Sequence, residues 1–118
     1  MSERDEQQTV FDYAHGCGGN LEPRLKMLHP VENTKGAGRG PAGFEYCAGV
    51  PDMFLAAPVG GYHGLYIELK TQTGKVSKAQ REYHKRLRQE GYAVAVCYGA
   101  ENAIKMLDYY LSGEEPPL

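Results

Sequence analysis

Three charged residues, Asp52, Glu68 and Lys70, have types and a spacing suited to chemistry on a phosphate. Asp52 follows a Gly-Val-Pro tripeptide, and Glu68 and Lys70 stand two residues apart in the run LYIELK, residues 65–70. Side chains two apart on a strand point to the same face. Glu68 and Lys70 therefore share a face, about 7 Å apart along the backbone, while the leucines and isoleucine of the run face the other way. A carboxylate and an ammonium at that spacing can act on one phosphate.

The chemistry that such a set supports is hydrolysis of a phosphodiester with the help of Mg²⁺ or Mn²⁺. A hard cation neutralises the phosphate charge and acidifies a bound water, and it prefers carboxylate, carbonyl and water oxygens. Asp52 and Glu68 supply carboxylates from neighbouring predicted strands, and the main-chain carbonyl of Leu69 supplies a further oxygen. Lys70 either orients or deprotonates the attacking water, or stabilises the pentavalent phosphorane.

The elements predicted to position these residues follow the order αβββαβα, which is an α/β fold. Periodicity and turn residues predict helices over residues 3–15, 77–90 and 100–111, and strands over residues 25–31, 52–56, 62–71 and 92–98. The second and third strands form an antiparallel hairpin, and the fourth is central. Ser77 is the N-cap of the second helix, whose buried stripe is Ala79, Tyr83 and Leu87. A Gly-rich loop covers residues 33–49, and a flexible tail covers residues 112–118.

Charge is distributed unevenly along the chain. The formal net charge is −2, yet residues 70–88 contain seven basic residues and a single acidic one, Glu82, which gives a local charge of +6. A charge run alone is most often a solvated helix face. Directly after a Glu-x-Lys strand, however, it favours a polyanionic partner.

Length and composition exclude several classes of protein. A chain of 118 residues fits a single domain, residues 1–118, that can bury a core without disulfide or zinc staples. Cys17, Cys47 and Cys97 are odd in number and lack Cys-x-x-Cys spacing, as expected of reduced thiols. No apolar run approaches the ~20 residues of a membrane span, and the charged N-terminus is unlike a signal peptide. We therefore expect a cytoplasmic protein with no membrane partner.

The sequence resembles the VRR-NUC branch of the PD-(D/E)XK nucleases. The resemblance is carried by AGVPDMFLAAPVGGYHGLYIELK and GKVSKAQREYHKRLRQEGYAVAVCYGAENAIKMLDYYL, which cover residues 48–111 nearly without gaps. The opening SERDEQQTVFDYA resembles the family's first helix, which carries a Glu and a Gln four apart, here Glu3 and Gln7. The resemblance implies a restriction-endonuclease-like αβββαβ core with a C-terminal helix, built on a mixed central sheet flanked by helices.

The resemblance also implies roles for individual residues in metal-dependent cleavage of DNA. Asp52, Glu68 and Lys70 match the family's catalytic positions, and Gln80 matches a polar position on the helix that faces the site. Glu3 would be an additional metal ligand from the first helix, with Glu6 as the alternative. We expect DNA contacts from five basic residues of the loop and of the basic stretch: Lys35, Arg39, Lys75, Lys78 and Arg81.

Stand-alone members of this family, many from phages and bacteria, look like homodimeric endonucleases that act on branched DNA such as Holliday junctions. Resolving a junction takes two cuts, and a two-fold dimer supplies two sites. We therefore expect a homodimeric endodeoxyribonuclease, located in the host cytoplasm if it is phage-encoded. The alternative is a catalytically silent nuclease-fold module that binds branched DNA or a partner protein. A nuclease that acts on RNA is a further alternative.

Overall fold

The computed structural model of the protein describes residues 2–31 and 49–113. Its helices are α1 (Glu3–His15), α2 (Cys17–Leu21), α3 (Lys78–Gln89) and α4 (Ala100–Leu111). Its strands are β1 (Leu28–Pro30), β2 (Met53–Leu55), β3 (Leu65–Lys70) and β4 (Ala93–Tyr98), and a 3-10 turn covers Pro23–Met27. Lys35 and Arg39, two of the predicted DNA contacts, lie outside the described residues.

The four strands form a mixed sheet in the order β1-β2-β3-β4. β2 is antiparallel to both β1 and β3, so the predicted hairpin is confirmed, whereas β3 and β4 are parallel. Parallel neighbours need a crossover connection, and α3 provides it. The predicted α/β class with a mixed sheet flanked by helices is confirmed. No helix within residues 2–31 and 49–113 is long and apolar enough to cross a membrane.

The main core lies between one face of the sheet and the helices α1 and α4. From β3 it takes Leu65, Ile67 and Leu69, the apolar face expected from the alternation of the strand, and all three are fully buried. The alternate residues of β3, which include Glu68 and Lys70, lie on the opposite face, where α3 packs. The strand is thus apolar on one side and carries its charged groups on the other.

Two elements near the first strand differ from the sequence prediction. The strand expected over residues 25–31 is only three residues long, because Pro23 begins a 3-10 turn that the side chain of Glu22 caps through the Arg24 N–H. The first helix ends at His15 as expected, with Gly16 as its C-cap, but a second short helix, α2, follows it at once. Both changes involve short segments, whose type cannot be told from periodicity alone.

The prediction that β4 is a central strand was wrong, because β4 is at the edge of the described sheet. Two of its outward-facing carbonyls are bonded by side chains where a neighbouring strand would otherwise bond them. Arg88 Nη2 donates to the Val94 carbonyl (3.0 Å), and Asn102 Nδ2 donates to the Tyr98 carbonyl (2.7 Å). Side chains that occupy an edge in this way protect it from pairing with another chain.

Candidate active site

The pairing of β2 with β3 places Asp52 opposite Glu68. Asp52 immediately precedes β2, and Glu68 lies within β3. The observed register pairs Met53 with Ile67, and continuing it by one residue pairs Asp52 with Glu68. Directly opposed residues have Cβ atoms about 4.5–5.5 Å apart and point to one face. The two predicted carboxylates are therefore neighbours on the side of the sheet that α3 covers.

Main-chain hydrogen bonds hold Asp52 from both sides. Its Oδ2 accepts the N–H of Leu69 (2.8 Å), and its carbonyl accepts the N–H of Val31 (2.8 Å). On the other edge of β3, the Lys70 carbonyl accepts the N–H of Gly99 (3.0 Å). Successive residues of a strand direct their backbone groups to alternate edges, so the Leu69 carbonyl faces the Asp52 edge. The three predicted oxygen donors thus lie around the same short stretch of β3.

Glu68 is a buried carboxylate in contact with a buried histidine. Glu68 is 1% exposed and His84 is 3% exposed, and His84 Nε2 lies 3.4 Å from Glu68 Oε1. Burial lowers the pKa of His84 below its ordinary 6.5, and the charges of Arg88 and Lys70 lower it further, although Asp52 opposes them. A neutral imidazole can donate its N–H to the carboxylate, which accepts only.

The helix α3 begins where the chain leading to Asp52 passes against it. Ser77 is the N-cap, as predicted: its Oγ accepts the Gln80 N–H (3.1 Å), and Gln80 Oε1 accepts the Ser77 N–H (2.9 Å). Gly49 has a φ of +91°, and a Cβ at that position would lie only 2.4 Å from the Ala79 carbonyl oxygen. Glycine is therefore required here, because the backbone before Asp52 touches the first turn of α3 directly.

Gln80 is buried at 3% exposure, on the inner side of α3 as the resemblance implied. Its amide oxygen is engaged in the capping box with Ser77, so in the structure Gln80 fixes the start of the helix. A direct catalytic role for Gln80 stays a prediction.

The two acidic candidates on α1 have different surroundings. Glu3 is exposed in the first turn of the helix. Glu6 accepts the Ala100 N–H through Oε2 (2.5 Å), at the start of α4. The N-cap residue there is Gly99, which has no side chain to perform that function. Glu6 therefore has a structural use as the cap of α4, and the metal role predicted for Glu3 stays a prediction.

The basic residues predicted to contact DNA from the described part of the chain are all exposed. Lys75, Lys78 and Arg81 lie just before α3 and in its first turns, a few residues after Lys70. Arg81 Nη1 donates to the Val76 carbonyl (2.9 Å). Lys78 pairs only loosely with Glu82, at 4.0 Å. The cations thus stand around the positive end of the helix dipole, with no acidic residue in the first turn of α3.

The oxygen donors fit a hard divalent cation. Mg²⁺ is usually held by one or two carboxylates together with waters and substrate phosphate oxygens. Asp52, Glu68 and the carbonyl of Leu69 provide two carboxylates and a further oxygen of that kind. Within residues 2–31 and 49–113, no three side chains of His, Cys, Asp or Glu gather as a metal site. A cation at this place would therefore complete its shell with water and phosphate.

His84 is the site residue that sequence reasoning missed. The stripe predicted for α3 was Ala79, Tyr83 and Leu87, but the buried residues are Gln80, His84 and Leu87. The spacing of Gln80 and His84 could have identified the histidine. Residues four apart share a helix face, so a Gln80 that faces the site brings His84 with it. The prediction failed because it preferred apolar residues for the buried stripe, whereas the helix packs on a charged strand face.

Comparisons with known proteins agree with this fold. A family model described as the VRR-NUC domain matches residues 44–101. A solved structure described as "VRR_NUC domain protein" is 26% identical, with a TM-score of 0.78 over 98% of this chain and 92% of that chain. No curated protein matches the chain. The family match includes Asp52, Glu68, Lys70 and the whole of α3.

Proposed function

The chain belongs to the VRR-NUC domain family, and from that premise we propose that it is a divalent-metal-dependent DNA endonuclease. The observation that carries the proposal is the arrangement at the end of β3. Asp52 accepts the Leu69 N–H and lies opposite Glu68 by register, and Lys70 lies two residues beyond Glu68 on the same face of β3. Two carboxylates, a carbonyl and an ammonium are thereby combined on one strand end.

In this proposal Asp52, Glu68 and the Leu69 carbonyl hold Mg²⁺ or Mn²⁺. A bound ion of this kind neutralises the phosphate and acidifies a water molecule. The protein's part is to keep its groups oriented before the substrate arrives: the Leu69 N–H fixes the Asp52 carboxylate, and α3 covers Glu68. Groups that need no reorganisation during the reaction stabilise developing charge best.

Lys70 acts on the phosphate from the same face as Glu68. It occupies the last position of β3, where its side chain is half-buried and its carbonyl is held by Gly99. An ammonium fixed there can stabilise the negative charge that grows on the phosphate oxygens, or orient the attacking water. Glu3 and Gln80 remain predicted participants, the first as a further metal ligand and the second as a catalytic or positioning group.

The DNA backbone would lie along the start of α3. A cation near the positive N-terminal end of a helix is unfavourable by about 0.3–1 kcal/mol. A phosphate bound among such cations offsets that cost. Lys75, Lys78 and Arg81 are the described residues that would bind it, with Lys35 and Arg39 as the predicted contacts outside the described residues. This charge distribution supports a polyanionic substrate.

The finer proposal is a homodimer that cuts branched DNA, with both sites used at one junction. It is supported by the two-cut requirement of a junction. Sedimentation of the pure protein at micromolar concentration tests it, and a clean 13.0 kDa monomer would count strongly against it. A single domain over residues 1–118 and a cytoplasmic location stay predictions alongside it.

Cleavage of a labelled four-way junction tests the proposed activity. We expect nicking in Mg²⁺ or Mn²⁺ and none in EDTA, with little cutting of duplex, flap, single-stranded or RNA controls. Lys70→Ala should abolish cleavage, whereas the matched variant Lys85→Ala, at an exposed position of α3, should keep it. Metal-independent binding of the junction without any nicking would instead identify a catalytically silent module.

A further inference from the structure

The contact between Glu68 and His84 is the most buried polar contact in the site. Both side chains are nearly inaccessible, and they approach to 3.4 Å through Nε2 and Oε1. A buried carboxylate is costly unless charged or polar partners compensate it. His84 is buried on the inner face of α3, where it does not reach a DNA surface. Its partner is a group of the site itself.

Three features of the fold fix His84 against β3. The capping box of Ser77 and Gln80 sets the start of α3, and the contact between Gly49 and Ala79 sets how closely that turn approaches the strands. His84 follows Gln80 by four residues and so lies one turn further along the same inner face. The imidazole is thereby held in place by the same elements that hold Asp52.

We propose that His84 is a positioning residue that holds the Glu68 carboxylate in its metal-binding orientation. The inference rests on the proposed function, because it takes Glu68 to be a metal ligand. A carboxylate has about four lone-pair sites, so an N–H donated to Oε1 leaves capacity for a cation. Partners of this kind orient metal ligands, and removing one typically costs about 10–100-fold in metal affinity or activity.

Binding of Mn²⁺ to the full chain, measured by calorimetry without DNA, tests the proposal. The geometry provides a matched pair of variants, since a glutamine amide nitrogen mimics Nε2 of histidine and an asparagine amide nitrogen mimics Nδ1. We expect His84→Asn to weaken Mn²⁺ binding about 10–100-fold and His84→Gln to stay within a few-fold of wild type. His63→Asn removes one exposed imidazole outside the site and should change nothing.

A second readout separates positioning from folding. With junction DNA as substrate, His84→Asn should need more Mn²⁺ for half-maximal cleavage but should recover most of its rate at saturating metal. Circular dichroism checks that each variant is folded, and His84→Leu provides a third variant if the asparagine variant does not fold. A purely structural role would lower the rate at all metal concentrations alike.

The outcomes are distinguishable. Unchanged Mn²⁺ affinity in folded His84→Asn, together with lost affinity in Glu68→Gln, would overturn the positioning role and leave the proposed function intact. Unchanged affinity in Glu68→Gln would overturn the metal site itself, and the positioning role with it. Weakened binding in both His84→Asn and Glu68→Gln, with rescue by His84→Gln, supports both.

Discussion

Gly49→Ala should destabilise the protein and misplace Asp52, and two separate costs contribute. The first is conformational: a φ of +91° is strained for a residue with a side chain, at about 1–3 kcal/mol. The second is steric. The new Cβ would lie 2.4 Å from the oxygen and 2.6 Å from the carbon of the Ala79 carbonyl, and backbone atoms cannot rotate away.

The steric cost can be sized from that overlap. Relief to an ordinary contact of about 3.5 Å requires a shift of roughly 1 Å between α3 and the chain that leads to Asp52. Overpacking of this kind costs about 1–3 kcal/mol, so the sum is about 2–6 kcal/mol. Over most of the usual range of domain stability, about 5–15 kcal/mol, the variant should remain largely folded, with its site displaced.

Gly61→Ala is the matched control. Gly61 has a similar φ of +88° but nothing within 4 Å of an added Cβ, so it incurs only the conformational cost. Urea unfolding of both variants should therefore differ by about 1–3 kcal/mol, with Gly49→Ala the less stable. Because a displacement of ~1 Å at a reacting group can cost about 100-fold in rate, junction cleavage should fall sharply in Gly49→Ala alone.

Two results would refute this reasoning. If Gly49→Ala and Gly61→Ala unfold at the same urea concentration with the same slope, the close approach of Gly49 to Ala79 is not present in solution. If Gly49→Ala loses stability but cleaves at the wild-type rate under folded conditions, the position of Asp52 does not depend on its packing against α3.

Three further predictions follow from buried groups. The pKa of His84 is lowered from 6.5 in the folded protein, so the unfolded state binds more protons than the folded state as the pH falls below about 6.5. The free energy of unfolding should therefore be fully present above that pH and decline below it. Urea unfolding in EDTA should show a shallower decline with falling pH for His84→Gln than for wild type. Burial raises the pKa of Cys97 to about 12, so alkylation at pH 8 followed by peptide mapping should label exposed Cys17 and spare Cys97; equal labelling would contradict the burial. The buried Tyr110 hydroxyl donates to the Ala57 carbonyl (2.6 Å), so Tyr110→Phe should lose about 1–3 kcal/mol of unfolding free energy. The control Tyr109→Phe, at a residue that is 40% exposed, should stay within about 0.5 kcal/mol of wild type.

The sequence was informative wherever a local rule acts alone. Alternation in residues 65–70 gave the buried and charged faces of β3, and Ser77 gave the start of α3, because side-chain direction and capping depend on neighbours within a few residues. The hairpin of β2 and β3 was predictable for the same reason, because its turn residues lie close together in the sequence. Local rules failed where competing short-range choices were close in energy, as in the 3-10 turn that replaced the beginning of β1.

The sequence by itself determined which chemical groups this protein has and which of them share a strand face: Asp52, Glu68 and Lys70 were identifiable from residue type and a two-residue period. Only the tertiary structure decided that Asp52 accepts the Leu69 N–H, that Glu6 caps α4 and that His84, on the inner face of α3, contacts Glu68. Each of these contacts joins residues 16 to 94 positions apart. Their formation depends on how the sheet and helices pack as a whole, and no periodicity along the chain encodes that.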